Sequence, residues 1–145
     1  MIESNSRDRC SISAPGRGET YEAILALGLI QVLTREAIAL LEGRVTEWLR
    51  PGGLLLVTAF TTDDPSFARL SAAGQRVGKT SVVDEEGSVR TFLEPGELPQ
   101  LFASLENIHF REGVGPEHRH GDGPLQHHAL AEAVFSLDLK SFQPG

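Results

Sequence analysis

Two short apolar runs separated by one amphipathic helical pattern constrain the fold of this chain more than any other feature. Residues 21–30 read YEAILALGLI, and residues 54–60 read LLLVTAF. Short apolar runs without polar alternation predict strands that are buried on both faces of a mainly parallel sheet. The alanines and leucines of the first run also leave a helix open there.

The segment between the two runs has the repeat of a surface helix. Thr34 is placed to cap its start, and apolar side chains recur three or four positions apart. They are Ile38, Leu41, Val45 and Trp48. Pro51-Gly52-Gly53 predicts the end of this helix, and Trp48 is expected to pack under the sheet. Strand, helix, Gly-rich turn and strand form a βαβ unit with a right-handed crossover, so we expect an α/β fold.

The remaining elements have weaker patterns. A turn followed by a short helix is predicted for residues 61–73, and a surface hairpin around Asp-Glu-Glu-Gly for residues 77–93. A second amphipathic helix is predicted for residues 94–105. Alternating residues 107–113 and 128–137 predict a closing antiparallel pair of strands.

Composition limits the partners and the location that we expect. The 145 residues are 40% hydrophobic and 23% charged, which suits one globular domain. A net charge of -7 without a basic run argues against nucleic acid and anionic membranes as partners. No apolar run approaches the roughly 20 residues of a membrane span. Since the single cysteine, Cys10, cannot form an internal disulfide and no signal segment opens the chain, we expect a cytoplasmic protein.

Four of the five histidines lie within residues 118–128. In an extended segment His118 and His120 point the same way, whereas His127 and His128 point oppositely, so only one of the latter two can join them. Three imidazoles with a carboxylate would suit zinc or nickel. The metal alternative is therefore the set His118, His120, Asp122 and His127. The other interpretation is a solvated hairpin turn.

Four strings in sequence order carry a resemblance to a known family. Tyr21-Glu22 opens the first apolar run, and LRPGGLLLVTAF leads into the second. FLEPGELPQLFASLENIHFREG follows, and GPEHRHGDG precedes the last alternating run. In this order they resemble the C-terminal half of class I S-adenosylmethionine-dependent methyltransferases, and most of all the tellurite-resistance group known as TehB-type.

The resemblance implies a function and site residues. It implies S-adenosylmethionine as the cofactor and a small-molecule methyl acceptor as the substrate. His118 and Arg119 would be catalytic on the acceptor side, where arginine can hold an oxyanion and histidine can act as acid or base. Leu27 and Gly28, at the end of the family's fourth strand, would contact the cofactor. Three glutamates, Glu94, Glu97 and Glu112, are better explained as helix-start and strand-edge charges than as catalytic groups.

The chain departs from the family where the cofactor binds. The Gly-rich turn after the family's first strand, and the acidic residue after its second, have no counterpart here. We therefore expect a Rossmann-like methyltransferase half-sheet in which parallel strands are followed by a C-terminal antiparallel pair and the N-terminal strands of the full fold are missing. Residues 1–20 would be a flexible lead-in, residues 21–138 the domain, and residues 139–145 a tail.

A half-sheet has consequences for activity and assembly. Alone, the domain would be inactive or incomplete. Without a neighbour, the strand at residues 21–30 would be an exposed edge, which predicts a homodimer or a partner chain paired with that strand. The alternative function is a non-enzymatic metal-binding or interaction module that uses the turn from His118 to His128.

Overall fold

The computed structural model describes residues 18–138. The predicted tail, and all but the last three residues of the predicted lead-in, lie outside the described residues. In chain order the elements are β1 (Tyr21–Ala26), a 3-10 turn (Ile30–Val32), α1 (Arg35–Trp48), β2 (Leu49–Phe60), α2 (Pro65–Ala73), β3 (Gln75–Arg76), β4 (Ser81–Val83), β5 (Val89–Thr91), α3 (Leu98–Leu101), β6 (Glu106–Val114), β7 (His118–Arg119), β8 (Leu125–Gln126) and β9 (Ala129–Ser136).

A four-stranded mixed sheet is the centre of the fold, in the order β1-β2-β9-β6. β1 and β2 are parallel, whereas β9 is antiparallel to both β2 and β6. The predicted α/β class, the βαβ unit and the closing antiparallel pair are confirmed. Since β9 lies between β2 and β6, the last strand of the chain occupies an interior position in the sheet.

The first strand is shorter than predicted. Its ladder with β2 ends at Ala26, which faces Val57. Gly28 then adopts a φ of 71°, in the left-handed region that favours glycine, and the chain turns away from the sheet. Ile30, which was predicted to extend the strand, is instead fully buried in the 3-10 turn.

Helix α1 begins as predicted, because the Thr34 hydroxyl accepts a hydrogen bond from the backbone N–H of Ala37 at 3.1 Å. Its apolar stripe faces the sheet: Ile38, Leu41 and Val45 are buried. Trp48 is partly buried against the same core.

Helix α1 ends before Pro51-Gly52-Gly53, as predicted, but the motif does not form the predicted turn. α1 ends at Trp48, and β2 starts at the next residue and contains all three. Here the register between β1 and β2 is irregular, and Gly52 has a φ of 79°. A Cβ on Gly53 would lie 2.8 Å from the Arg50 carbonyl oxygen and 3.1 Å from that of Tyr21. The motif therefore forms a bulge at which two backbones approach closely.

The predicted helix over residues 94–105 is also wrong in extent. Only the single turn of α3 forms. Gly96 has a φ of 82°, and Pro99 has no N–H to donate to a helix. The apolar side chains of the predicted face are nonetheless buried at Leu98, Phe102 and Leu105.

The insertion between β2 and α3 has the predicted short helix and hairpin. Asp64 caps α2 by accepting from the N–H of Ser66. β4 and β5 pair around the Asp84 to Gly87 turn, and β3 adds a third strand to this separate sheet. Thr91 connects it to the main body by donating from its hydroxyl to the carbonyl of Leu33 at 2.6 Å.

Only one face of the main sheet is covered by the described residues. On that face, Leu55, Val57, Ala131, Ala133 and Phe135 are buried in one core with α1 and α3. The prediction of strands buried on both faces is therefore wrong here.

No described residues form a layer over the opposite face of the main sheet or pair with the outer edge of β1. The side chain of Leu25 is 63% exposed, that of Leu130 40% and that of Leu54 37%. These residues occupy strand positions that alternate with the buried ones. Within the described residues β1 pairs only with β2, so its other side has unpaired backbone groups. None of the described helices is long and apolar enough to cross a membrane.

An ion pair joins α1 to the start of α3. The Arg35 guanidinium contacts both Glu97 carboxylate oxygens and donates to the Phe92 carbonyl at 3.1 Å. Burial by itself raises the pKa of Glu97, but the hydrogen bonds from Arg35 and the Glu94 N–H, with the positive charges of Arg35 and Lys79, outweigh it. The pKa of Glu97 therefore lies below its ordinary value.

We predict that Gly53→Ala destabilises the fold by about 1–3 kcal/mol, because the contacts around its Cβ are backbone atoms that cannot move aside. Gly43→Ala is the matched control. A Cβ on Gly43 meets nothing within 4 Å in helix α1, so alanine there should stabilise by roughly 0.5–1 kcal/mol. Urea unfolding of both variants measures the difference, and equal stabilities would contradict the close approach at Gly53.

We predict that Glu97→Gln lowers the free energy of unfolding at neutral pH by about 1–2 kcal/mol. Because the folded pKa is depressed, this contribution is present above the ordinary glutamate pKa and is lost as the pH falls through the folded value. Denaturant unfolding from neutral to acidic pH should therefore show the two proteins converging.

The control for this prediction is Glu47→Gln, which removes an exposed pair with Arg44 inside α1. Its effect should stay below about 0.5 kcal/mol at every pH. A Glu97→Gln difference that does not change with pH would show that the charge of Glu97 is not what stabilises the contact.

Candidate functional site at the carboxyl edge of the sheet

The parallel strands β1 and β2 end at the same edge of the main sheet, called here the carboxyl edge. β9 begins at this edge and β6 ends there, since Phe60 faces Leu130 and Val114 faces Ala129. The link between β6 and β9, which contains the clustered histidines, therefore leaves from and returns to the carboxyl edge. Open α/β sheets bind ligands at this edge.

The predicted cofactor residues Leu27 and Gly28 directly follow β1 at the carboxyl edge. Leu27 is 58% exposed. The backbone N–H of Gly28 donates to the Thr58 hydroxyl of β2 at 3.0 Å, which holds the turn against the neighbouring strand. Their position agrees with the expected one, and their contact with a cofactor stays a prediction.

The link between β6 and β9 folds as a small hairpin. β7 and β8 pair through His118 opposite Gln126 and Arg119 opposite Leu125. Gly121 has a φ of 61°, and the N–H of Gly123 donates to the His120 carbonyl at 3.1 Å. The reversal at the glycines brings the two ends of the link close together, so residues from both ends can meet.

Three histidines converge where the two ends of the link meet. One nitrogen from each of His118, His120 and His128 lies within 4.8 Å of the others. The Nε2 atoms of His118 and His120 are 3.1 Å apart. The rings of His118 and His128 have centroids 5.0 Å apart. We call these three residues the histidine cluster.

One histidine of the cluster, His128, contacts Asp64, which the sequence did not indicate as a site residue. Asp64 is only 2% exposed. Its Oδ2 lies 3.0 Å from Nδ1 of His128 and accepts from the N–H of Ala129 at 3.0 Å. Its Oδ1 accepts from the N–H of Ser66 at 2.9 Å and also from the Ser66 hydroxyl. The signal available in the sequence was the Asp-Pro-Ser string, which indicated a helix cap and nothing more.

Asp64 is held in its charged form. Burial by itself raises the pKa of this carboxyl, but hydrogen bonds from the Ser66 hydroxyl and N–H, the Ala129 N–H and the His128 ring together lower it more. The pKa of Asp64 therefore lies below its ordinary value. The Asp64 carboxylate can accept from Nδ1–H of His128, and in a neutral ring with that tautomer Nε2 is the acceptor.

The structure does not bring together all residues of the predicted metal set, or both side chains of the predicted catalytic pair. In the metal alternative, His128 takes the place of His127, and Asp122 is not part of the converging group. His127 is exposed and borders a small cleft that His128 and Asp64 also line. In the catalytic pair, Arg119 lies between two converging histidines in an extended strand, so its exposed side chain is directed away from His118. The catalytic roles of His118 and Arg119 stay predictions.

A cleft of about 560 Å³ lies between the end of β2, α2 and the β4–β5 hairpin. Phe60 and Phe92 form part of its apolar lining, and Arg69, Arg90 and Asp84 to Glu86 lie around it. Gln31 also borders it, and its buried Oε1 has no hydrogen-bond partner within the described part of the chain. The volume is in the range of small-molecule sites.

The three glutamates set aside from catalysis have structural contacts. Glu97 pairs with Arg35, and Glu94 pairs with Lys79 at 2.9 Å. Glu112 of β6 accepts from the backbone N–H of Gly96 at 2.9 Å. These carboxylates connect elements on the covered side of the fold, away from the histidine cluster.

Comparison with known proteins gives relatives in structure alone. No protein-family model and no curated protein matches the chain. TehB from Haemophilus influenzae superposes with a TM-score of 0.54 at 20% identity, over 81% of this chain and 36% of that one. A SAM-dependent methyltransferase from Methanosarcina mazei gives 0.64 at 14% identity, over 83% and 61%. Another, from Anabaena variabilis, gives 0.54 at 19% identity, over 83% and 50%.

This chain thus spans from 36% to 61% of the length of these three solved structures. The predicted likeness to the TehB group is confirmed at the level of structure. At such low identity a superposition shows the fold and not the activity. The chain has the fold of one part of a class I S-adenosylmethionine-dependent methyltransferase domain.

Proposed function

We propose that this chain is the acceptor-side portion of a methyltransferase that uses S-adenosylmethionine. The observation that carries the proposal is the sheet order β1-β2-β9-β6, with a parallel pair followed by an antiparallel pair. This order supports methyl transfer because it places the Gly28 turn and the 560 Å³ cleft at one end of the sheet. Both flank the end of β2, so a donor and an acceptor could be held side by side.

The Gly28 turn suits one side of a donor site. A Cβ on Gly28 would meet only the Gln31 side chain, at 3.6 Å, so the backbone there is accessible to a ligand. Leu27 supplies exposed apolar surface beside it. S-adenosylmethionine supplies a methyl group activated by a sulfonium sulfur. Leu27 and Gly28 would contact the donor and orient it toward the cleft.

The cleft beside Phe60 suits the methyl acceptor. Phe60 and Phe92 can pack against an apolar body, while Arg69 and the carboxylates of residues 84–86 can hold polar groups. We therefore propose a small molecule with both apolar and polar groups as the acceptor.

The donor site needs more surface than one strand end provides. Ligand sites in such sheets form in the crevice between adjacent strand ends. No strand of the described part of the chain pairs with the side of β1 away from β2, and the exposed face beside it is apolar at Leu25 and Leu54. We propose that a second copy of the chain or a partner chain pairs with β1 there and completes the donor site, so the isolated monomer is inactive.

We predict that S-adenosylhomocysteine, the product form of the donor, binds only to the assembled state. Calorimetric titration across a range of protein concentrations, with sedimentation to measure the dimer, should show binding that rises with the dimer fraction. If no homodimer forms, the measurement is repeated with partners captured on the chain. Full-affinity binding to the monomer would contradict the need for assembly, and no binding in any assembled state would contradict the donor site.

A matched pair of glycine variants tests the Gly28 turn in the same titration. Gly28 and Gly18 both have a positive φ, at 71° and 85°, so alanine introduces similar backbone strain at each. Gly28→Ala should weaken binding and Gly18→Ala should not, because only Gly28 lies at the carboxyl edge. Equal effects would show that the turn does not contact the donor.

A further inference from the structure

We propose that the histidine cluster, His118, His120 and His128, binds one zinc ion, and that Asp64 is the group that orients the site. This function is separate from methyl transfer and does not depend on it. It differs from the set expected from sequence in two ways: His128 replaces His127, and the carboxylate lies behind a histidine instead of contacting the metal.

The spacing of the ring nitrogens suits a single ion. Zinc binds histidine at about 2.0–2.1 Å in a tetrahedral arrangement, which places two ligand nitrogens roughly 3.3 Å apart. The Nε2 atoms of His118 and His120 are 3.1 Å apart. All three candidate ligand atoms lie within 4.8 Å of one another. Because His120 is exposed and follows the two-residue strand β7, a side-chain rotation can close the remaining gap.

The tautomers of two histidines are set for metal binding. Nδ1 of His128 faces Asp64 Oδ2 at 3.0 Å, and Nδ1 of His118 faces the Pro116 carbonyl at 3.3 Å. Each of these oxygens can accept a hydrogen bond from Nδ1–H, and in that tautomer Nε2 keeps its lone pair for a metal. A carboxylate or carbonyl behind a ligating histidine is the usual arrangement at zinc sites.

Asp64 fixes the orientation of the His128 ring. It is buried, and its remaining acceptor positions are occupied by Ser66 and by the Ala129 N–H. Phe60 packs against the other side of the imidazole, with ring centroids 5.1 Å apart. His128 is therefore held on both sides and is the preorganised ligand of the three.

A purely structural role explains only part of these contacts. The pair of Asp64 and His128 could serve simply to anchor the start of β9. It would not explain why His118 and His120, on the opposite arm of the hairpin, direct ring nitrogens at the same point. Two Nε2 atoms at 3.1 Å cannot both carry protons, so at least one lone pair faces the centre of the cluster.

Three neutral imidazoles favour a borderline metal such as zinc over magnesium or calcium, which prefer oxygen ligands. Three protein ligands leave a fourth position open, as in zinc sites that bind water or substrate. His128 also lines a cleft of about 230 Å³ with Arg69 and Leu125. A small ligand with an oxygen or sulfur donor could occupy this space and reach the ion.

Zinc titration of the tag-free, metal-stripped protein tests the proposal. Competition with a chromophoric chelator should show one ion per chain, and magnesium at the same concentration should not compete. Cobalt in place of zinc should give the visible absorption of a tetrahedral site. A stoichiometry that does not level off at one, or an octahedral cobalt spectrum, would overturn the proposal.

Neighbouring histidines provide matched controls for the ligands. His128→Gln and His120→Gln should weaken zinc binding strongly, whereas His127→Gln and His109→Gln should leave it unchanged. His127 is adjacent to His128 in sequence, and His109 lies in β6, where its ring faces Glu132 at 3.4 Å. Equal losses at His127 and His128 would show that binding is due to histidine content and would overturn the assigned site.

Asp64→Asn tests the orienting role of Asp64. Loss of a group that orients a metal ligand typically lowers metal affinity by about 10- to 100-fold, and we expect a value in this range, smaller than the loss in His128→Gln. Asp64 also caps α2, so circular dichroism of the variant must first show a folded protein. If it does not fold, the comparison of His128→Gln with His127→Gln decides the proposal, and zinc should raise the melting temperature of His127→Gln alone.

Discussion

Parallel pairing of β1 with β2 is the constraint on which the other elements depend. Two parallel neighbours need a crossover connection, and α1 provides it on one face of the sheet. Ile38, Leu41 and Val45 bury that face, and α3 extends the same layer under β9. Since both strands run in one direction, their ends meet at one edge. The cleft, the Gly28 turn and the histidine link all lie at that edge for this reason.

Asp64 is the second residue on which the arrangement of the site depends, and it acts through direct contacts. One buried carboxylate caps α2, accepts from the first residue of β9 and fixes the ring of His128. These contacts couple the insertion after β2 to the link that precedes β9, which are more than sixty residues apart in the chain. The histidine cluster therefore has a rigid half, at His128, and an exposed half, at His118 and His120.

The open face of the main sheet connects the fold to the proposed function. Leu25, Leu54 and Leu130 are exposed on the side opposite α1, next to the edge of β1 that no described strand pairs with. Apolar strands of this kind are stable in solution when another layer or another strand covers them. We propose that a second copy of the chain or a partner chain provides this cover at β1.

Local patterns were sufficient to predict several elements. The Thr34 cap and the 3.6-residue stripe predicted α1, and the alternation of Ala129, Ala131, Ala133 and Phe135 predicted β9 and its buried face. Each of these signals depends on neighbours within a few residues. Pro51-Gly52-Gly53 predicted a turn after α1 but forms a bulge inside β2, because such a string suits a helix end and a strand bulge equally. The choice between them depends on the approach of the Tyr21 carbonyl from another strand.

At the site, too, local sequence patterns predicted some features and tertiary contacts decided the others. By itself the sequence determined the βαβ core, the closing strand pair, and the presence of four histidines near a glycine turn, because periodicity and turn chemistry are local. Only the tertiary structure decided that His128 and not His127 joins His118 and His120, and that Asp64 supports it. That choice depends on which face of β9 meets the end of β2, and a one-residue change of register would reverse it.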